Sequence, residues 1–404
     1  PKHQVWGGEL EDMNDYGAYR TAFEGRALPT AFIDRAALDK NIALTAERAD
    51  DLPVRVASKS VRCRAALKRI LSEPGFEGVM CYTGHEAVDL AESGFEDLLV
   101  AYPVLNETEL RRVAECVASG AEITLMVDSV EHVERIAVAA DTAGTDIPLC
   151  IDLDCSTNHL GLYFGVRRSP IRTAEAALSV AERVSETAGV YLAGLMGYEA
   201  QIAGLPDRNP ANSTLENAMM RWLKERSKPT VRKRRQSVAA ALDEEYGLRF
   251  VNGGGTGSVE FTRKDPHVTE VTVGSGFFAP RQFDWYDNLD YEPAAGYAIE
   301  VTRKPTDGVY TCRGGGYVAS GPVGPDKAPE PWLPSGAELL DNEGAGEVQT
   351  PVHYDGDLEL GDPVVMRHGK AGELCRFFEE LAVVDGETVV DTWSTYRGES
   401  RCYI

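Results

Sequence analysis

From about residue 30 to 280, short apolar runs alternate with longer stretches whose apolar residues recur at helical spacing. The runs are Val54–Ala57, Gly78–Tyr82, Leu98–Ala101, Ile123–Val127, Leu149–Leu153, Leu192–Gly197, Phe250–Asn252 and Val271–Val273. Helical periodicity fills the gaps at Gly84–Glu92, Glu107–Ala118, Val130–Ala140, Thr173–Thr187 and Leu215–Tyr246. Apolar runs with helical spacers predict parallel βα units, and eight of them is the number that closes a barrel. An open doubly wound sheet is the competing arrangement, and the lack of a GxGxxG after the first run weakens it.

Beyond residue 280 the pattern changes. Glycine, proline and β-branched residues dominate, with period-two alternation in Tyr297–Val301, Gly308–Cys312, Asp362–Met366 and Thr388–Trp393. The proline-rich stretch Ser320–Ser335 reads as an irregular loop. The fold class predicted is α/β: a (β/α)8 TIM-type barrel over residues 30–282, then an all-β domain over 283–404 that the segment 1–29 joins.

Composition narrows the partners. A chain of 404 residues with 43% hydrophobic and 26% charged residues is an ordinary globular protein. Its formal net charge of −23 repels nucleic acid and anionic membrane surfaces, so neither is an expected partner. No apolar stretch reaches membrane-spanning length, and Pro1-Lys2-His3-Gln4 lacks the shape of a signal peptide, so the cytoplasm is the expected location. The eight cysteines form no CxxC pair and read as reduced, mostly buried thiols. The dense basic run Lys224–Arg235 reads as the solvated outer face of a long helix.

Two features carry chemistry. Lys59 ends the first apolar run, where a lysine either points to solvent or uses its amine, for instance as an imine to an aldehyde cofactor. Asn252-Gly253-Gly254-Gly255-Thr256-Gly257-Ser258 follows the seventh run, and Gly274-Ser275-Gly276-Phe277-Phe278 the eighth. Glycines let backbone N–H groups approach an anion closely, and the loops after strands seven and eight are the usual phosphate site of such barrels.

A strand-one lysine facing phosphate loops after strands seven and eight resembles the fold-type III pyridoxal-phosphate enzymes, the alanine racemase-like barrels. Pro29-Thr30-Ala31-Phe32-Ile33-Asp34, with Ala36–Ile42 after it, looks like that family's opening strand and first helix. Arg55, four residues before Lys59, and Gly194-Leu195-Met196-Gly197-Tyr198 resemble its D-threonine aldolase and D-serine dehydratase branch, closest to the amino-acid deaminase/aldolase group. The resemblance implies pyridoxal 5'-phosphate bound by Lys59, Arg55, Tyr198, Gly254, Gly255, Thr256, Gly257, Gly276 and Phe277, with Lys59 as the catalytic Schiff-base lysine. It also implies a homodimer. Phe278 stands where the branch has tyrosine, and Tyr163 where an arginine is common.

The branch places a divalent ion on His-x-Cys or His-x-Asp near the chain end. In Arg367-His368-Gly369-Lys370-Ala371-Gly372-Glu373-Leu374-Cys375 that spacing is broken by Lys370. His368 and Cys375 remain candidate ligands for zinc or manganese, or His368 is a core histidine. Weaker candidates for the mouth are His85, Asp152, Asp154, His159, Arg167-Arg168, Glu199 and Gln201.

The function implied is a pyridoxal-phosphate-dependent lyase on small-molecule D-3-hydroxy amino acids, by retro-aldol cleavage or by dehydration. The alternatives are an amino-acid racemase with Tyr317 or Tyr396 as second base, a non-catalytic pyridoxal-phosphate carrier, and sugar-phosphate chemistry on an ordinary phosphate-binding barrel.

Overall fold

The computed structural model describes residues 9–321 and 324–404. The Pro1–Gln4 stretch, part of the segment 1–29 and two residues of the Ser320–Ser335 loop lie outside the described residues. Eight parallel strands form a closed barrel: Val54–Ala57, Phe76–Cys81, Leu98–Val100, Ile123–Val127, Ile147–Asp152, Val190–Gly197, Phe250–Gly253 and Glu270–Val273. The ring shuts where Arg55 on the first strand pairs with Thr272 on the eighth.

Both faces of the strands are buried, which is why they read as unbroken apolar runs. Outward residues such as Val54, Val56, Val79, Leu98, Val100, Leu125 and Ile151 pack under the helices in the main core. Inward residues Met80, Leu99, Met126, Cys150, Met196 and Phe250 form a separate cluster filling the lumen. Four of the spacer helices start on a side-chain oxygen that accepts an early backbone N–H: Thr83, Asn106, Ser129 and Thr173.

The long helix Thr214–Tyr246 opens on a capping box between Ser213 and Glu216. Its basic run corrects the expectation of a solvated face. Lys224 pairs with Asp207 at 2.6 Å, Arg234 donates to the Asp154 and Ser156 carbonyls at 2.7 Å, and Arg235 is fully buried. A basic stretch on a helix wrapped against a barrel is solvated on one side only.

Nine of the remaining strands build a second sheet, and Thr157–His159 with Leu162–Phe164 form a separate hairpin. The middle of the sheet holds Thr30–Asp34, parallel to Glu380–Asp385 on one side and antiparallel to Ala295–Thr306 on the other. The expected boundary at residue 30 therefore needs correction: the opening strand belongs to the β-sheet, and the barrel's own first strand comes 24 residues later at Val54. The proline-rich loop also contains a strand, Glu330–Leu333, on the edge of Pro363–Arg367. All eight cysteines are free, six of them buried. Among the described residues no helix is long and apolar enough to cross a membrane.

Candidate active site

A cavity of about 560 Å³ opens at the C-terminal ends of the barrel strands. Ala57 and Lys59 from the first strand end, Tyr102 from the third, Arg168 from beyond the fifth and Tyr198 from the sixth reach it. Opposite stand Gly254, Gly255 and Thr256, then Gly274 and Ser275, while Lys370 and Ala371 of the β-domain cover one side. Lys59, Tyr198, Gly254, Gly255 and Thr256 are thus brought together on one cavity.

Lys59 sits in the 3-10 turn Ser58–Ser60, which lifts it off a strand buried over its whole length. Its amine is exposed to the cavity, not desolvated, and donates to the Tyr102 hydroxyl at 3.1 Å. The β-domain holds the turn from behind. Gly372, at φ +85°, lies so close that a Cβ there would collide with the Lys59 carbonyl oxygen.

The glycine-rich loop is anchored from beneath. Glu199 is fully buried and accepts from the Gly254 N–H at 3.2 Å, from Ser258 Oγ at 2.9 Å, from Thr262 Oγ1 and from Arg235 at 3.1 Å. Arg235 in turn holds Asp265 at 2.9 Å. Glu199 therefore does not orient a ligand, and Gln201 is occupied with the Cys155 carbonyl at 2.7 Å. Thr256 Oγ1 ties the two loops together, accepting from the Gly276 N–H and meeting Ser275 Oγ, both at 3.2 Å.

Several expected contacts fall elsewhere. The Phe277 N–H goes to the Gly274 carbonyl at 3.3 Å, and the Phe277 and Phe278 rings are buried in the core. Gly257 is off the cavity lining, and a Cβ on it would meet the Ala203 carbonyl. Arg55 is also off the lining: its guanidinium binds Glu270 at 2.7 Å and Asp97 at 2.7 Å at the opposite end of the lumen. The reason is depth along the strand. Arg55 and Ala57 share the inward face, but Arg55 lies two residues, roughly 6–7 Å, further down. His85 stands beside Glu109, His159 on Ser227 and Asp154 on Arg172, all away from the cavity.

Two cavity residues were weak or silent in the sequence. Tyr102 had no motif around it; an aromatic directly after a barrel strand is the only signal that could have found it. Arg168 is held by Asp152 at 3.3 Å and by the Ala101 carbonyl at 3.1 Å, with its guanidinium 5.2 Å from the Tyr102 ring and 5.8 Å from that of Tyr198. Burial pushes the Asp152 carboxyl up to about 6, against the pull of Arg168 and with help from Asp128 and Asp154. Burial likewise pushes the Tyr198 phenol up to about 12, with Glu199 adding to it.

The profile of the family described as alanine racemase, N-terminal domain, matches residues 33–280, more than half of the chain. The chain belongs to this family. Among curated relatives, 3-hydroxy-D-aspartate aldolase of Paracoccus denitrificans (strain Pd 1222) is 24% identical over 281 residues, 67% of this chain and 67% of its own. D-threonine aldolase of Arthrobacter sp. is 23% identical over 284 residues, 69% and 68%. The crystal structure of D-threonine aldolase from Filomicrobium marinum superposes with a TM-score of 0.78 at 21% identity, covering 92% of this chain and 95% of that one. D-threo-3-hydroxyaspartate dehydratase from Delftia sp. HT23 gives 0.73 at 19%, covering 93% and 98%. These structures are alike in fold.

Pyridoxal phosphate is the cofactor that membership of this family implies, and the cavity fits it: an amine at one wall, glycine backbone at the other, and no Asp or Glu among the described lining residues. His368 and Cys375 do not fit a divalent ion. Cys375 gives its thiol to the Val61 carbonyl at 3.2 Å, and burial pushes that thiol well up, away from the thiolate a metal needs. The buried His368 ring lies against the Ala295 backbone without a well-formed hydrogen bond, pushed down to about 3 by burial and by the neighbouring Arg367. Among the described residues no group of three or more His, Cys, Asp or Glu could hold a metal. The expectation of an ion on His368 and Cys375 is corrected accordingly.

Proposed function

We propose that this protein is a pyridoxal-phosphate-dependent lyase that cleaves D-3-hydroxy amino acids by retro-aldol reaction to an aldehyde and a shorter amino acid. One observation carries the reading: Lys59 and the backbones of the two glycine-rich loops face each other across one cavity. The curated relatives bearing aldolase names support the choice of reaction.

When bound, the cofactor supplies an electron sink that weakens the bonds at a substrate's Cα. The chain does the rest. Lys59 holds the cofactor and carries protons at Cα. The loops at Gly254–Thr256 and Gly274–Ser275 hold its phosphate with backbone and hydroxyl groups. Arg168 and Lys370 put two further cations on a wall without carboxylates, which favours an anionic amino acid over a neutral amine. Tyr198, packed against Gly255, bounds the cavity on the strand-six side.

The racemase reading loses Tyr396 as a candidate base, because it is buried and donates to Glu86 at 2.9 Å. Tyr317 is half-buried beside the Tyr297 and Phe378 rings. A homodimer is part of the proposal, supported by Leu160 and Leu162, which the hairpin after the fifth barrel strand leaves uncovered.

The test is incubation with D-threonine, D-serine and D-3-hydroxyaspartate, followed by separate assays for glycine and for ammonia. Glycine is the expected product, ammonia without glycine would replace the aldolase by a dehydratase, and silence on all three would reject the lyase. Lys59→Ala abolishes both turnover and the visible absorbance of bound cofactor while the far-ultraviolet circular dichroism is kept.

A further inference from the structure

The hydroxyl nearest the reactive amine belongs to a residue that nothing so far has given a task. Tyr102 follows the third barrel strand, and its Oη lies 3.1 Å from Lys59 Nζ. Arg168 lies over its ring at 5.2 Å and also clips the preceding residue through the Ala101 carbonyl at 3.1 Å. The phenol is therefore fixed between two cations, yet at 39% exposed it keeps an open path to water through the cavity.

We propose that Tyr102 is the proton partner of Lys59: its phenolate takes a proton from the Lys59 ammonium to set the amine free, and the resulting phenol hands the proton on. The N–H bond breaks with its electron pair left on nitrogen, and an O–H bond forms on Tyr102. Ammonium and phenolate become amine and phenol, so charge and atoms balance. The proton then leaves to water at the mouth. This inference rests on the assignment of Lys59 as the cofactor-binding lysine.

The need for such a partner is chemical. Lysine amines are ordinarily protonated at neutral pH, and an ammonium has no electron pair with which to attack an aldehyde or to accept a proton from Cα. The electrostatics agree with the geometry. Burial on its own would push the Tyr102 phenol up, but Lys59 and Arg168 outweigh it and hold the phenol below its ordinary value. The charged groups facing Tyr102 are Lys59 from the turn after the first strand, Arg168 from the segment after the hairpin, and Asp152 from the end of the fifth strand. Asp152 opposes the two cations, and Arg168 lies between it and the ring.

A purely structural Tyr102 would be a platform for Arg168, and phenylalanine would serve as well. Tyr102→Phe therefore separates the two roles. In the protein without cofactor, the ultraviolet phenolate difference spectrum is expected to show one tyrosine ionising below the rest. It should vanish in Tyr102→Phe and move to higher pH in Lys59→Ala. Uptake of pyridoxal phosphate by Tyr102→Phe should be slower at neutral pH by ~10-fold or more, approaching wild type in alkali where the lysine loses its proton unaided. The proposal is overturned if the early tyrosine survives in Tyr102→Phe, or if uptake matches wild type at every pH. If the wild-type protein takes up no pyridoxal phosphate, the proposed function falls, while the phenolate titration with and without Lys59 still decides whether the two side chains share a proton.

Discussion

At the scale of single residues, the cavity works by placing charges that partly cancel. Arg168 would be a free cation among aromatic rings were it not for Asp152, whose buried carboxyl ionises only above about 6. As pH falls through that value the carboxylate takes up a proton and Arg168 loses its anchor. The acid limb of kcat/KM against pH is expected to fall with an apparent midpoint near that of Asp152. Asp152→Asn mimics the protonated form at every pH, so its profile should be low and lack this limb. An unchanged limb in the variant would separate Asp152 from the site. Lys59 and Tyr198 were legible as single residues because their neighbours form motifs. Arg168 was legible only as one of a pair of arginines and Tyr102 not at all, since each owes its place to contacts with residues far away in the chain.

Among the elements, the barrel strands were the most legible part of the sequence, because burial on both faces writes a strand as an unbroken apolar run. Spacer helices were legible through their periodicity, and the structure adds the Thr, Ser or Asn caps that start them. Thr30–Asp34 was read as the opening strand of a domain starting at residue 30, but its partners lie more than 260 residues away, and no local pattern encodes a pairing of that span. Arg55 misled for a different reason: spacing along a strand says which face a side chain takes, while its depth in the lumen decides which ligands it meets. With Glu270 and Asp97 as partners it is a buried ion pair network, and removing one member leaves the others uncompensated. Arg55→Ala is expected to lower the unfolding free energy by about 3–5 kcal/mol while the folded fraction still binds cofactor. Chemical denaturation and cofactor absorbance measure the two halves of that statement.

For the whole molecule, the barrel and the β-sheet domain are coupled around the site. Arg367 of the sheet binds Asp284 at 2.6 Å, and Gly372 rests on the Lys59 turn. From near the chain end, Tyr396 donates to Glu86 at the start of a barrel helix. Burial pushes the Glu86 carboxyl up to about 7, although the Tyr82 N–H, Ser58 and Tyr396 favour its charge. An unfolded glutamate ionises near ~4.3. Between those two values the folded chain holds a proton that the unfolded chain has released, so this group's contribution to stability declines as pH rises through the window. Glu86→Gln cannot ionise. Its thermal midpoint should lose less than that of wild type between pH ~5 and pH ~8, and equal losses would contradict the assigned shift.

The filled lumen has one more effect. With Arg55, Glu270 and a layer of methionine and leucine beneath the cavity, the described residues fill the barrel below it and the cavity opens at the C-terminal ends of the strands. Arrivals and departures share that aperture. Each spent fragment must clear it before a fresh molecule can come in, so in the proposed reaction the product would compete with incoming amino acid for the same passage.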